Sequence, residues 1–569
     1  VRWLLLSLLF FSAADVQADL RQWLDDEVPS RMDKADIPAV VIAVVRGDQT
    51  LLVGYGADPV RDVFRVGSVS KPVAASVILE LVRQGEFALD EDVSAALEPL
   101  HITPALTGPL TLHHLLTHTA GFSERLFGQH ARSAADFLTL DRYLKKHLPP
   151  RFIEPGLVIA YNDHHTALAS WLVEQQTGKS FAAVAEAMLF KPLGLNDSTF
   201  VQLDLPEAYA ERRIRAVRTG TGPAYPADFI QLPAAAGLYT TAKDMAVYMR
   251  ALLQHPERQL QVQFRHHARL PGRAYGFAEG RHGSDATFFK DGQASGFNAR
   301  LLLYPAQQSG VFVAHNRNIF GPLGRIEAAG RFNRTLGADL LEEFWPQPSV
   351  TVGPVAEQTG VDLATYVGSY RTVIAARHSW ERLVSLFDEV QVTRSDGVLM
   401  MGSQRYVPVA ENLFVHADDA QRYIAFRVVD GNSSHVFIGG GAYERVPWWT
   451  TQSALPWLVG LPAGILLLTG LLLVRTQPGL TVLGHGTLLI FLVGLGLLFW
   501  LIDLQQLFYG APKLLLSLLV LPLIAAGAFA VQSVRLMRHF SSTSLLGVIA
   551  GVTLLIWLGY WNLLGFHLG

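Results

Sequence analysis

Cysteine is absent from the 569-residue sequence, which excludes a disulfide framework and any thiolate-held metal site. Net charge is nearly absent too, since 46 Lys and Arg against 49 Asp and Glu leave a formal charge of −3. No basic run interleaved with aromatic residues occurs, so the electrostatic footprint of a nucleic-acid binder is missing. His113, His114 and His118 include an i, i+4 pair, but no glutamate stands where a zinc-protease base would, and they read as structural. The expectation is a protein without metal, cofactor or nucleic acid.

What the chain has in excess is apolar residues, 50% of the total, concentrated at its end. Runs at 455–474, 482–502, 514–534 and 545–564 each approach the ~20 residues that cross ~30 Å of hydrocarbon as a helix. They lack the two-faced pattern of a buried soluble bundle, so four spans over 455–566 and a lipid bilayer as partner are expected. Arg475 follows the first run and Arg535 and Arg538 the third, whereas the turn after the second carries Asp503 and only Lys513. Positive-inside bias then puts the first and third turns in the cytoplasm and the long N-terminal part outside. Arg2, the apolar stretch 3–11 and Val16-Gln17-Ala18 read as a leader over 1–18, cleaved before Asp19. Together these features point to a multi-pass inner-membrane protein with its bulk in the periplasm.

Residues 19–345 begin with a short helix at 20–28 and a β-branched strand at 39–45, turned by Gly47-Asp48 into a second strand at 50–56. Helical patterns follow: one from 73 that stops at Gly85, then 111–121, a segment from Tyr161 to Gly178, 182–190 closed by Gly194, and one capped by Thr241. Strands return at 274–278, 287–290, 299–304 and 311–315. Strands at both ends with helices between predict an α+β unit. Residues 123–150 form a polar stretch suited to a lid. Proline marks a linker at 346–360, and short strands split by Asp, Gly and Asn turns predict a small antiparallel barrel or sandwich at 361–450.

The chemistry centres on Ser68-Val69-Ser70-Lys71 at the mouth of the first of these helices. Three residues is almost one helical turn, so the Lys71 amine reaches the Ser68 hydroxyl, and the helix's positive end favours a developing alkoxide. Ser70 has no lysine at that spacing. Farther on stand Tyr161-Asn162-Asp163 and Lys290-Asp291-Gly292-Gln293.

These three motifs, in this order, resemble the serine β-lactamase and penicillin-binding superfamily, whose signatures are S-x-x-K, Tyr-x-Asn or Ser-x-Asn, and K-T-G or H-x-G. The flanking 111–121, 237–241 and 290–297 look like those of its class C-like branch. The resemblance covers about 37–316 and implies a β-lactamase/transpeptidase-like fold. It further implies Ser68 as nucleophile, Lys71 and Tyr161 as its proton partners, and Lys290 as a cation in the cleft. Backbone N–H groups of Ser68 and Gln293 would form the oxyanion hole beside Gly292. Lys71 and Lys290 are expected to depress each other's pKa.

Two positions depart from the pattern. Asp163 stands where the family has Asn, so either its charge enters the pocket or Asn162 takes over the substrate contact. Asp291 replaces a small Thr or Gly, and its carboxylate is expected to neutralise Lys290. The expected activity is an extracytoplasmic serine hydrolase cleaving an amide or ester of a small molecule or peptide, in the manner of a D-aminopeptidase or esterase. Alternatives are a β-lactamase or D,D-carboxypeptidase, and, of another class, an inactive binder of cell-wall fragments. The layout is similar to periplasmic peptidases that remove an N-acyl-D-amino-acid cap from secreted prodrugs, which are described with three spans rather than four.

Overall fold

The run Ala39–Val45 is apolar at every position because both of its faces are buried. In the computed structural model, Val41, Ala43 and Val45 of strand Val40–Arg46 enter one core, and Val40, Ile42 and Val44 enter another. The structure describes residues 13–102, 108–218, 224–226, 228–317, 328–347, 360–501 and 504–567. The strand pairs antiparallel with Gln49–Tyr55 on one edge and with Ser309–His315 on the other. The sheet continues through Phe297–Tyr304, Asp285–Ala294, Phe277–His282 and Arg273–Ala274, seven strands in all. Helices Ala13–Ala35 and Ala328–Phe344 cover one face. Helices Ser70–Arg83, Asp163–Thr177 and Ala242–Gln254 contribute to the core on the other, where the candidate site lies.

Local differences from expectation have local causes. The helix expected at 20–28 spans Ala13–Ala35, because Leu20, Leu24, Val28 and Met32 recur every fourth residue and bury against the sheet. The helix expected at 111–121 ends at Leu116, and His118 follows it at φ +60°. The stretch 123–150 is tied down rather than free: Ser123 O accepts from Asn162 Nδ2 at 2.7 Å, and Glu381 Oε1 accepts the Leu126 and Phe127 amides at 2.7 and 3.1 Å. Of the expected leader, residues 1–12 lie outside the described residues, as do 348–359 of the expected linker.

The second unit is a closed antiparallel barrel of eight strands, from Gly368–Thr372 to Gly441–Val446, filled by Tyr370, Tyr406, Phe414 and Ile424 among others. Two of its strands, Gln404–Ala410 and Gly441–Val446, escape sequence inspection; the first carries Pro408 next to a register shift. Outside the barrel, Phe437, Ala425 and Ala442 pack on Val158 and Ala160, so the barrel supports the chain that leads into Tyr161.

Four helices, Gln452–Leu473, Pro478–Trp500, Lys513–Arg538 and Ser542–Tyr560, are long and apolar enough to cross a membrane. This region meets the rest of the protein at several points, among them the following. The first helix begins directly after the barrel; the turn Leu504–Tyr509 reaches the hydrolase-like unit; and Asn562, past the fourth helix, donates to the carbonyls of Arg377 and Ser379 at 3.1 and 2.9 Å. Arg475 stands just past the first helix, and Arg535 and Arg538 lie in the last turn of the third.

Candidate active site

Ser68 sits in a single helical turn, Gly67–Val69, pinned by the buried side chains of Val66 and Val69 and continuing into helix Ser70–Arg83. Gly67 has φ +53°, and a Cβ there would stand 2.3 Å from Gln293 O. From the other side, a Cβ on Gly292 would stand 2.0 Å from Val66 O and 3.1 Å from Ser68 N. Only glycine lets the turn and the Asp285–Ala294 strand approach this closely, which brings the backbone of Ser68 beside that of Gln293.

Ser68 Oγ accepts hydrogen bonds from Lys71 Nζ at 2.9 Å and from Tyr161 Oη at 2.7 Å. Ser70 serves the backbone instead. Its hydroxyl donates to Gly67 O at 2.6 Å and accepts from Leu238 N at 2.9 Å, fixing the turn. Lys71, 1% exposed, also donates to Asp163 Oδ1 at 2.6 Å and to Ala235 O at 2.9 Å. The Tyr161 ring is flanked by Lys71 Nζ and Lys290 Nζ, 4.9 and 4.6 Å from its centre, and His118 packs against it with ring centres 4.6 Å apart.

Local geometry separates Asn162 from Asp163 and places Asp291. Asn162 is the N-cap of helix Asp163–Thr177: its Oδ1 accepts from His164 N at 2.7 Å, and the side chain is buried. The contact to Lys71 falls instead to Asp163, the first helical residue. Asp291 follows strand alternation: Lys290 turns inward, while the Asp291 carboxylate bonds Arg300. Among the described residues, Lys290 Nζ donates only to the main-chain carbonyl of Asp291, at 2.9 Å. The expected neutralisation of Lys290 by that carboxylate is thereby corrected.

Charge follows from these placements. Burial disfavours the Lys71 ammonium, but the Asp163 carboxylate and Tyr161 more than offset this and hold its pKa above the ordinary lysine value. Lys290 is driven well below that value by burial, then by the charges of Lys71 and Arg273. The expected mutual depression therefore appears on one lysine only. Burial raises the Tyr161 phenol, with Lys71 opposing it and Asp163 adding to it. Asp163 is itself held low, burial being outweighed by Lys71. Burial and the neighbouring His165 keep His118 well below its ordinary value, so it packs on Tyr161 as a neutral ring.

Sequence inspection misses the place of His118 against Tyr161, the Ala235 carbonyl and a second buried carboxylate, Asp228, which bonds Arg65, His130 and Ser295. None of them lies in the three motifs; only the fold brings them to the site. The histidines beside His118 have hydrogen-bond partners of their own, His113 in Tyr275 Oη at 3.0 Å and His114 in Thr111 Oγ1 at 3.1 Å. Among the described residues, no three His, Asp or Glu side chains group so as to hold a metal ion.

An α+β sheet fold with a helix-borne serine, a lysine one turn on and a tyrosine on the same hydroxyl defines the β-lactamase-related class of serine hydrolase folds. The chain belongs to the beta-lactamase family, whose sequence pattern matches residues 24–333, more than half of the chain. It is 35% identical over 170 residues to esterase EstB of Burkholderia gladioli, covering 27% of this chain and 42% of the esterase. It is 23% identical over 320 residues to the D-alanyl-D-alanine-carboxypeptidase/endopeptidase AmpH of Escherichia coli K12, covering 51% of this chain and 81% of that one. The chain thus spans less than half the length of the esterase. The crystal structure of SurE shares the fold, with a TM-score of 0.51 at 19% identity, over 76% of this chain and all of that one.

Proposed function

We propose that the protein is a membrane-anchored serine hydrolase that cleaves an amide or ester bond through an acyl-enzyme on Ser68. The observation that carries this is the convergence of Lys71 Nζ and Tyr161 Oη on one hydroxyl, Ser68 Oγ, at 2.9 and 2.7 Å. In this proposal Lys71 is a fixed positive charge rather than the base, because Asp163 holds its proton in place. The phenolate form of Tyr161, stabilised by that charge, accepts the Ser68 proton as Oγ bonds the substrate carbonyl carbon. The backbone N–H groups of Ser68 and Gln293 receive the developing oxyanion. Tyr161 then delivers the proton to the leaving amine or alcohol as that bond breaks. Water repeats the sequence to release the acid and restore the serine.

Names of relatives at 35% and 23% identity include an esterase and a D-alanyl-D-alanine-carboxypeptidase/endopeptidase, which supports the ester or amide class. Residues 19–345 form the hydrolase unit in this proposal, 361–450 a barrel that buttresses the Tyr161 segment, and 455–566 the anchor. The catalytic unit faces the periplasm in this proposal, which the positive-inside bias of Arg475 just past the first helix and of Arg535 and Arg538 in the last turn of the third supports. The Asp163 charge is taken up by its pair with Lys71. The test uses purified full-length protein with p-nitrophenyl esters, D-aminoacyl anilides and a chromogenic cephalosporin. Turnover of esters or anilides that disappears in Ser68→Ala supports the proposal; turnover that survives in Ser68→Ala, or no turnover of any of them, refutes it.

A further inference from the structure

Asp228 is buried, and its carboxylate gathers donors from four separate parts of the chain. Oδ1 accepts from Arg65, whose guanidinium also reaches Asp228 O at 2.8 Å. Oδ2 accepts from His130 Nδ1 at 2.8 Å, Ser295 Oγ at 2.8 Å and Tyr509 Oη at 2.7 Å. Arg65 stands three residues before Ser68, and Ser295 two residues after Gln293. The carboxylate therefore ties together the segments next to Ser68 and Gln293, the two residues whose N–H groups form the proposed oxyanion site.

Tyr509 comes from the membrane region, from the turn Leu504–Tyr509 between the second and third helices. The turn is seated by three further contacts. The Arg132 guanidinium lies 4.1 Å from the Tyr509 ring centre, Arg132 Nη2 donates to Gln506 Oε1 at 2.7 Å, and Phe508 stacks on His130 with ring centres 5.0 Å apart. A tether that only held the enzyme at the bilayer would not need a half-buried tyrosine whose hydroxyl donates to the same buried carboxylate oxygen that Ser295 uses.

We propose that Tyr509 is a positioning residue for hydrolysis: through Asp228 it fixes the Ser295 and Arg65 segments, so the membrane region completes the oxyanion site. This rests on the hydrolase proposal above. Without the Tyr509 hydroxyl, Asp228 Oδ2 loses one of its three donors, and the Gln293 and Ser68 amides are free to drift apart. Small displacements of preorganised donors are felt mainly in the transition state.

The experiment compares full-length wild type, Tyr509→Phe and Ser68→Ala in lipid nanodiscs, measuring kcat and KM on an ester and the affinity of a boronic acid that mimics the tetrahedral state. For Tyr509→Phe the expected result is a kcat lower by about tenfold, KM within about twofold, and boronate affinity weakened about as much as kcat. Because the chain has no cysteine, a second arm places Arg132→Cys with Gln506→Cys and adds a short bis-maleimide, and efficient cross-linking within one chain is expected. Unchanged kcat and boronate affinity in Tyr509→Phe overturn the positioning role, and a failed cross-link overturns the docking of the turn. Full activity in Ser68→Ala overturns the hydrolase proposal itself, and this inference with it.

Discussion

The two sides of the cleft each present a buried lysine to Tyr161, yet their surroundings are opposite. On the helical side, Lys71 spends its protons on Ser68, Asp163 and Ala235 O. On the strand side, Lys290 finds one main-chain carbonyl. Each lysine has an aspartate close in space or sequence, and geometry decides which aspartate counts. Asp163 opens a helix and reaches across to Lys71, whereas Asp291 is an adjacent residue on a pleated strand and must point to the other face. A carboxylate neighbouring in sequence is thus no guide to the charge of a buried amine. The consequence is opposite electrostatics: Asp163 favours the charged form of Lys71, whereas burial beside Lys71 and Arg273 disfavours that of Lys290.

That contrast is broken most severely by removing either lysine. Lys71→Met is expected to lower kcat by about 10³-fold, the upper end of the range for losing one preorganised charge or donor beside the reacting group. It also leaves Asp163 partly buried without its partner, a situation that costs up to about 3–5 kcal/mol when burial is complete. Asp163 retains 20% side-chain exposure, so a smaller loss is expected. Lys290→Met should lower activity by about 10²-fold with stability equal to wild type or higher, since an apolar chain replaces a buried amine with one weak partner. Thermal melting of the two variants beside their kcat values checks this; equal destabilisation would erase the distinction.

A smaller effect comes from Asp163→Asn, which keeps the shape and removes the charge. Before Ser68 attacks, the coupled Lys71 and Tyr161 pair must release a proton, so kcat/KM should climb with pH. Asp163 raises the pKa of both partners. Removing its charge should therefore move the rising limb of the kcat/KM profile to lower pH. A limb that stays in place, or moves to higher pH, would mean that Asp163 does not hold that proton. The smallest effect belongs to Asp291→Asn, with kcat/KM expected within about twofold of wild type and a stability change below about 1 kcal/mol, because its pair with Arg300 is partly exposed.

Much of this contrast was legible in the sequence. The Ser-x-x-Lys spacing places an amine on the serine because helical periodicity is local, and the glycine stops at Gly85 and Gly178 follow from the left-handed backbone found there. The four apolar runs needed only a length criterion. Other features depend on contacts distant in sequence. Asp163 and Asn162 are interchangeable on paper until the N-cap is assigned, and a capping asparagine directly before the helix was the available signal. The direction of Asp291 follows from period two once 285–294 is known to be one strand. Barrel closure needs the pairing of Gly368–Thr372 with Gly441–Val446, some seventy residues apart, and nothing local records it. Nor does anything in Leu504–Tyr509 announce a polar anchor, because Asp228 lies 281 residues away.

Which hydroxyl is acylated decides between a Ser68 enzyme and any other, and intact-mass measurement of the full-length protein treated with a fluorophosphonate tests this most directly. Ser68 has both Lys71 and Tyr161 within hydrogen-bonding distance, while the Ser70 hydroxyl is engaged by Gly67 and Leu238. One adduct is expected on wild type and on Ser70→Ala, mapping to the peptide that holds Ser68, and none on Ser68→Ala. An adduct that persists in Ser68→Ala and vanishes in Ser70→Ala would contradict Ser68 as the nucleophile.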